Sequence, residues 1–301
     1  MSTAPRCLAS HPVKEIPSSY RALMYPLLAL LAMALIWLPA GASMAETFKF
    51  GGTGSGLGAI RILADAYGKT HPQFSLTIVP SLGSSGGLKA LDAGVIHIAV
   101  ISRSLKAEET AKGMTAVEYG KTPFVLATTK QNVSGLTLAQ IAAIYSGEQR
   151  TWPDGTPIRL VLRPTHDGDT GLLAGFSPEI KQAVDRAASR EGMVVANTDQ
   201  DSADNLQRLP GALGTSSLGL ILSEGRPLKA LAINGVAPST QAIANGSYAY
   251  FKTMYLVTKG APPSEVAGFL DFVRSVEGRK ILTANGHWTG EPSAGTKQAA
   301  Q

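Results

Sequence analysis

Cysteine is almost missing from this sequence: Cys7 is the one thiol in 301 residues. It lies in an N-terminal segment expected to be removed, so the mature chain is read as having no disulfide, no thiol chemistry and no lipid attachment point. His71, His97, His166 and His287 are scattered without the close spacing of metal ligands, so no metal site and no cofactor are expected. His97 lies in an apolar run and is read as a satisfied buried histidine, while His166 is a candidate secondary ligand contact. No run of lysine or arginine occurs, which argues against a nucleic-acid partner. Internal repeats and long low-complexity segments are also lacking. Only the tail 292–301 reads as a frayed end.

What is present is a globular composition, 44% hydrophobic, enough for one large domain or two lobes. Near the N-terminus, Met24 to Leu38 (MYPLLALLAMALIWL) is an apolar run preceded by Arg6, Lys14 and Arg21 and followed by small residues. That pattern reads as a secretory signal peptide over 1–45, cut after Ala45. A retained anchor is the competing reading, but the run is shorter than the ~20 residues of a bilayer span. Met24 is a second candidate start. Removal of Arg6, Lys14, Arg21 and Glu15 leaves 24 basic and 21 acidic residues, a net charge of +3. The expected product is a soluble protein outside the cytoplasmic membrane.

Strand and helix patterns then alternate. TFKFGG reads as a strand and is followed by a helix with Leu57, Ile60, Leu63, Ala64 and Tyr67 on one face. Phe74, Leu76 and Ile78 alternate as in a strand. GGLKALDAG starts a short helix, and Val95 to Ile101 (VIHIAVI) suits a parallel strand covered on both faces. TPFVLATT is a further strand, and Thr137 with Gln140 forms a capping box for a helix stopped by Gly147. PIRLVLRP predicts a strand, and Ser177 and Pro178 begin another helix. MVVAN, LGLIL, LKALAI and TMYLVT predict strands, and a last amphipathic helix runs from Ser264 with Val266, Phe269, Leu270 and Val273 inward. The alternation predicts an α/β fold with mostly parallel sheets.

Three glycine-rich turns each follow a strand and open a helix: Gly52–Gly56 (GTGSG), Gly83–Gly87 (GSSGG) and Arg163–Thr170 (RPTHDGDT). A helix N-terminus carries unpaired N–H groups and the positive end of a dipole, and glycine lets a ligand approach the backbone. Thr53, Ser55, Ser84, Ser85 and Thr170 add hydroxyl donors, and Arg163 adds a planar fork. Tight strand-to-helix packing is the alternative use of such turns. Two enzyme readings stand beside these. GTGSGLG misplaces the third glycine of a dinucleotide fingerprint by one, and no acidic residue ends the strand at Phe74 to Pro80. GSSGG fits the nucleophile elbow G-x-S-x-G around Ser85, with Asp169 and His287 following in hydrolase order, so a secreted serine hydrolase is the alternative function.

Four ordered blocks carry a family resemblance: GTGSGLGAIRILADAY, GSSGGLKALDAGVIHIAVISRSLK, LTLAQIAAIYSGEQRTWPDGTPIRLVLRPTHDGDT and LAINGVAPSTQAIANGSYAYFKTMYLVTKG. From about Phe48 to Trp288 the chain resembles the phosphate-binding periplasmic proteins of ABC importers. The resemblance implies a two-lobed type 2 periplasmic binding protein fold with mostly parallel sheets and a hinge of two crossing strands. It places lobe 1 at 46–121 plus 252–291 and lobe 2 at 122–251, with crossings near Lys121 and near Tyr248 to Lys252. It further implies a monomeric, non-enzymatic receptor whose partners are inorganic phosphate or a similar oxyanion and an inner-membrane permease. A sensor or interaction protein of the same fold is a further alternative.

Carried over from the family, Thr53, Gly54 and Ser55 supply the first-loop contacts, Ser84 or Ser85 the second, and Arg163, Asp167, Gly168, Asp169 and Thr170 those of the second lobe. Ser102 and Arg103 stand where strict phosphate pockets often carry an aspartate after the third strand. The turn after Arg163 also departs from the usual R-S-D-G-S-G-T. An ionised carboxylate only accepts hydrogen bonds, so it favours an oxyanion that keeps a proton over sulfate. Asp167 and Asp169 either restore that filter or cap their own helix.

Overall fold

In the computed structural model, which describes residues 46–290, the first hydrophobic alternation forms β1 (Glu46–Gly52), with Phe48 and Phe50 fully buried. The expected signal peptide and the tail lie outside the described residues. β2 (Phe74–Ile78) and β3 (Ile98–Ile101) flank β1 in parallel. Helix α1 (Gly54–Gly68) lays Leu57, Ile60, Leu63 and Tyr67 against Phe48, Phe50, Phe74 and Phe269. This is the 3.6-residue stripe seen in the sequence. Helix α2 (Gly83–Asp92) returns the chain from β2 to β3, and the short α3 (Ala107–Ala111) leads into β4 (Met114–Thr128).

β4 joins the two halves of a nine-stranded sheet. Its residues up to Pro123 pair antiparallel with β11 (Phe251–Lys259), which itself borders β3. From Phe124 to Ala127 it pairs instead with β8 (Ala212–Ser217). β6 (Arg159–Leu162) and β7 (Val194–Val195) continue that second half in parallel. The second half packs on α4 (Leu138–Ser146) and α6 (Pro178–Ala188) around Phe124, Tyr145, Trp152 and Leu213. Between β6 and β8 lie α5 (Gly168–Ala174), α6 and α7 (Asp199–Arg208). The chain closes with α10 (Ser264–Arg274) and α11 (Val276–Ala284), after α8 (Leu218–Ser223) and α9 (Thr240–Ala244).

The capping signals act as expected. Thr137 Oγ1 accepts from Gln140 N, Gly147 takes the left-handed conformation at φ 87°, and Ser177 caps α6 ahead of Pro178. Four expectations need correction. LGLIL is helix α8 rather than a strand, because Ser217 Oγ accepts from Leu220 N and ends β8 there; a short buried apolar run does not distinguish the two by periodicity. GSSGG is the first turn of α2 rather than a turn before it. LKALAI divides into β9 (Lys229–Ala230), paired with β4, and β10 (Ala232–Ile233), paired with β5 (Gly135–Leu136). His97 is exposed just ahead of β3, its Nδ1 accepting from Lys49 N at 2.9 Å.

The end of β1 is the tightest backbone approach near the turn that follows. Gly52 has φ 132°, and a Cβ there would fall 2.0 Å from Val100 O. We expect Gly52→Ala to cost ~3 kcal/mol or more, read as a lowered urea midpoint. A loss under about 1 kcal/mol would mean that the end of β1 relaxes freely.

Candidate anion-binding site

Because Gly52 turns the chain so sharply, Thr53 N reaches Val100 O at 3.0 Å and α1 starts at the next residue. Thr53 is the N-cap, yet its side chain does not cap. Its hydroxyl donates to Asp199 Oδ2 at 3.0 Å, and Ser55 N donates to the same oxygen at 3.2 Å. Ser55 Oγ donates to Asp199 Oδ1 at 3.3 Å and accepts from Lys252 Nζ at 2.9 Å. Thr53, Ser55, Asp199 and Lys252 are all buried. The N-terminus of α1 therefore forms a cradle of neutral donors, and a carboxylate sits in it. Such a placement is what unpaired N–H groups and the helix dipole favour.

Lys252 lies on β11 beside the crossing from one half of the sheet to the other. Its ammonium pairs with Asp169 and, at 3.6 Å, with Asp199. Arg163, at the end of β6, is also buried; its Nη2 meets Asp167 Oδ2 at 2.8 Å and its Nη1 donates to Ala196 O at 3.1 Å. Burial works against the charge on Asp199, but Lys252, Arg163, Thr53 and Ser55 together hold its carboxyl below the usual range. Burial likewise opposes the Lys252 charge, and Asp169 and Asp199 outweigh it, raising that group. Asp169 goes the other way, pushed up to about 6 mainly by burial, which Lys252 offsets only in part. Among the described residues its Oδ2 has no hydrogen-bond partner.

The residues singled out in the sequence fall into three groups. Thr53, Gly54 and Ser55 form the cradle, with Gly54 O accepting from Gln200 Nε2 at 3.2 Å. Ser84, Ser85, Ser102 and Arg103 meet at the start of α2 and the end of β3. Ser102 N donates to Ser84 Oγ at 3.0 Å, and Arg103 spends its fork on Glu109, at 2.7 and 2.8 Å, with Ser85 Oγ 3.5 Å from Nη2. That pairing holds Glu109 down at about 2. In the third turn Asp167 caps α5, its Oδ1 accepting from Asp169 N at 2.9 Å, and exposed Gly168 opens the helix. Thr170 Oγ1 turns back to Pro164 O at 2.9 Å. Thus both arginine forks and the Thr170 hydroxyl are satisfied within the chain. Asp169 is the third-turn residue whose side chain pairs directly with Lys252. His166 is exposed.

The hydrolase constellation is not assembled, since its three side chains bond elsewhere. Ser85 faces Arg103, Asp169 pairs with Lys252, and His287 Nδ1–H donates to Asn285 O at 2.9 Å. Burial pushes His287 down to about 4, and its Nε2 has no partner among the described residues. Asp199 and Gln200 were not anticipated as site residues, and Lys252 only as a crossing point. Asp199 follows Thr198, whose Oγ1 accepts from Asp201 N, a capping box readable as T-x-x-D. Lys252 is a lone cation at an inward position of an apolar strand.

Removing one partner of a buried ionic cluster leaves the others uncompensated. We expect Lys252→Met to cost ~3–5 kcal/mol in urea unfolding, with Asp169→Asn in the same chain recovering part of it. Full additivity of the two losses would show that they do not interact.

Two buried groups also set opposing pH dependences. His287, lowered from 6.5 to about 4, stays neutral in the fold, so its contribution is lost as pH falls through that window. Asp169, raised from 3.8 to about 6, favours the protonated fold, so its contribution is present in acid and lost as pH rises through about 6. Asp169→Asn should therefore lose stability on acidification more steeply than the unaltered protein, by on the order of 2–3 kcal/mol between about pH 6.5 and 4. Urea midpoints across that range check this, and equal slopes would mean that Asp169 stays ionised.

The profile of the PBP superfamily domain matches residues 39–277. The chain is 23% identical to the phosphate-binding protein PstS of Borreliella burgdorferi over 68% of this chain and 76% of that one. Against the PstS of Bacillus subtilis it is 24% identical over 68% of each chain. Among solved structures it is similar to a protein from Clostridium perfringens assigned as a phosphate ABC transporter substrate-binding protein and determined with bound phosphate. That match has a TM-score of 0.68 and 25% identity, and covers 82% of this chain and all of the other. With a family match over most of its length and a mixed α/β sheet crossed by two long strands, the chain belongs to the PBP superfamily, with phosphate-binding proteins among its relatives.

Proposed function

We propose that this protein is an exported solute-binding protein that holds phosphate, or a tetrahedral oxyanion of similar size, between the two halves of its sheet and delivers it to a membrane permease. The carrying observation is the carboxylate seated on Thr53 Oγ1, Ser55 N and Ser55 Oγ beside Lys252. A site that holds two anionic oxygens on neutral donors and one ammonium has the chemistry an oxyanion needs. The relatives named above support phosphate as its ligand.

On this reading lobe 1 is 46–121 plus 252–291 and lobe 2 is 122–251, and closure about β4 and β11 buries the ligand. Ser84 and Ser102 lie at the edge adjoining the cradle, where Gly52 pairs with Val100, and extend it with hydroxyls. Arg163 acts through Asp167, setting the turn that aims Asp169. Asp169, with one oxygen unpartnered among the described residues, accepts a hydrogen bond from the hydroxyl that hydrogen phosphate keeps and sulfate lacks. The protein works as a monomer in the periplasm after loss of its signal peptide; among the described residues no helix is long and apolar enough to cross a membrane. It performs no reaction, and the separate partners of Ser85, Asp169 and His287 support that.

The test is thermal melting of the mature protein, stripped of ligand by unfolding and refolding, against phosphate, arsenate, sulfate, molybdate and tungstate. Phosphate at a hundred times its dissociation constant should stabilise by about 2.7 kcal/mol, with sulfate giving less. No shift with any of them at millimolar concentration overturns the reading.

A further inference from the structure

The cradle's donors end on an internal acceptor from the far side of the cleft. Thr53 and Ser55 belong to the first half of the sheet, on the turn after β1. Asp199 opens α7, which packs through Ala203 and Leu206 on Val125, Val161 and Ala212 of the second half. The partners are 144 and 146 residues apart in the chain. A second tie lies beside the first: Gln200 Nε2 donates to Gly54 O and, at 2.8 Å, to Glu224 Oε1.

Asp199 is not needed to start its own helix. Thr198 caps α7, and Asp201 returns a bond to Thr198 N at 3.1 Å. Its carboxylate is therefore spent wholly on Thr53, Ser55 and Lys252. An oxyanion bound to the same three donors would need its oxygens where Oδ1 and Oδ2 now lie. Two anions cannot share those positions, by volume or by charge.

We propose that Asp199 is an internal ligand that latches the two halves closed, and that an oxyanion occupies the cradle only by displacing it. The proposal rests on the reading of the cleft as an oxyanion site. Three consequences follow from the geometry. The ligand-free protein is closed. Its apparent affinity is the intrinsic affinity reduced by the fraction of molecules with the latch released. An anion too weak to displace a carboxylate held by three donors is excluded whatever its shape.

The experiment compares the ligand-stripped mature protein with Asp199→Asn and Asp199→Ala, by small-angle X-ray scattering and by calorimetric titration with phosphate. Both variants should have a larger radius of gyration without phosphate, contract when it is added, and bind it about tenfold or more tightly, as expected if the latch leaves one molecule in ten competent. Unchanged or weaker phosphate binding by the variants of a protein that itself binds phosphate overturns the latch and leaves the oxyanion reading intact. If no form binds phosphate, arsenate or sulfate, the oxyanion reading fails, and the scattering alone decides the latch: expansion of the variants upholds it and an unchanged radius overturns it. Should the variants not fold, stopped-flow fluorescence of Trp152 and Trp288 in the unaltered protein decides. A latch makes the rate of phosphate binding level off with concentration, whereas a rate still rising linearly at the highest concentration overturns it.

Discussion

The ammonium of Lys252 is the charge around which the interior of this protein is arranged. Taking an ammonium out of water costs several kcal/mol unless carboxylates and hydroxyls surround it, and Lys252 is almost wholly buried. Its partners Ser55, Asp169 and Asp199 come from the first turns of α1, α5 and α7, so one side chain on β11 gathers three helix N-termini. The arrangement is self-consistent. Carboxylates in the first turns of α5 and α7 lie at the positive ends of those helices, and the lysine balances the negative charge they bring. Loss of any member leaves a buried charge that neither solvent nor the remaining partners satisfy.

Where the strands end decides which groups reach that lysine. β1 and β6 run parallel to both of their neighbours, and β3 to β1, so the turns at their carboxyl ends lie in the usual position for ligands in open α/β sheets. At the end of β1 only glycine permits the turn, since any side chain on residue 52 meets the carbonyl of Val100. That constraint places Thr53 and Ser55 at the helix start. At the end of β6, Arg163 is fastened to Asp167 and Ala196 O, so its role is to shape the turn before α5. The same turn residues that look like anion donors in one dimension are in three dimensions each other's partners.

This is why the fold was more legible in the sequence than the site. Caps at Thr137, Ser177 and Gly147 act locally and are readable from neighbours three or four residues away. The cradle on Thr53 to Ser55 was legible for the same reason, because glycine and hydroxyl residues between a strand and a helix have a local meaning. Asp199 and Lys252 have none. The segment DQDSADNLQR carries so many polar residues that its apolar face is hard to see, although Ala203 and Leu206 are buried on its inner side. Nothing within ten residues of Lys252 tells of Asp169 or Asp199. Leu218 to Leu222 failed for a different reason: a short, fully apolar stretch fits either a buried strand or a buried helix, and the hydroxyl of Ser217 decided it.

Charge counting shows what the cluster demands of an incoming anion. In formal charge the cluster has two cations, Lys252 and Arg163, and three carboxylates, Asp167, Asp169 and Asp199, of which Asp169, raised to about 6 by burial, is the group that gives way in mild acid. With Asp169 protonated the five groups are neutral together; with it ionised they carry one negative charge. Exchange of Asp199 for a dianion adds one further negative charge in either state. Neutral donors and the roughly half-charge at each helix N-terminus must compensate for it. Three such termini converge on the cradle through Ser55, Asp169 and Asp199, and among the described residues no third cation is free there, because Arg103 is committed to Glu109. An anion that brings its own proton lowers the demand by hydrogen-bonding to a carboxylate rather than repelling it. On the oxyanion reading, the balance of this interior favours a protonated oxyanion over a fully ionised one before any contact with its shape is considered.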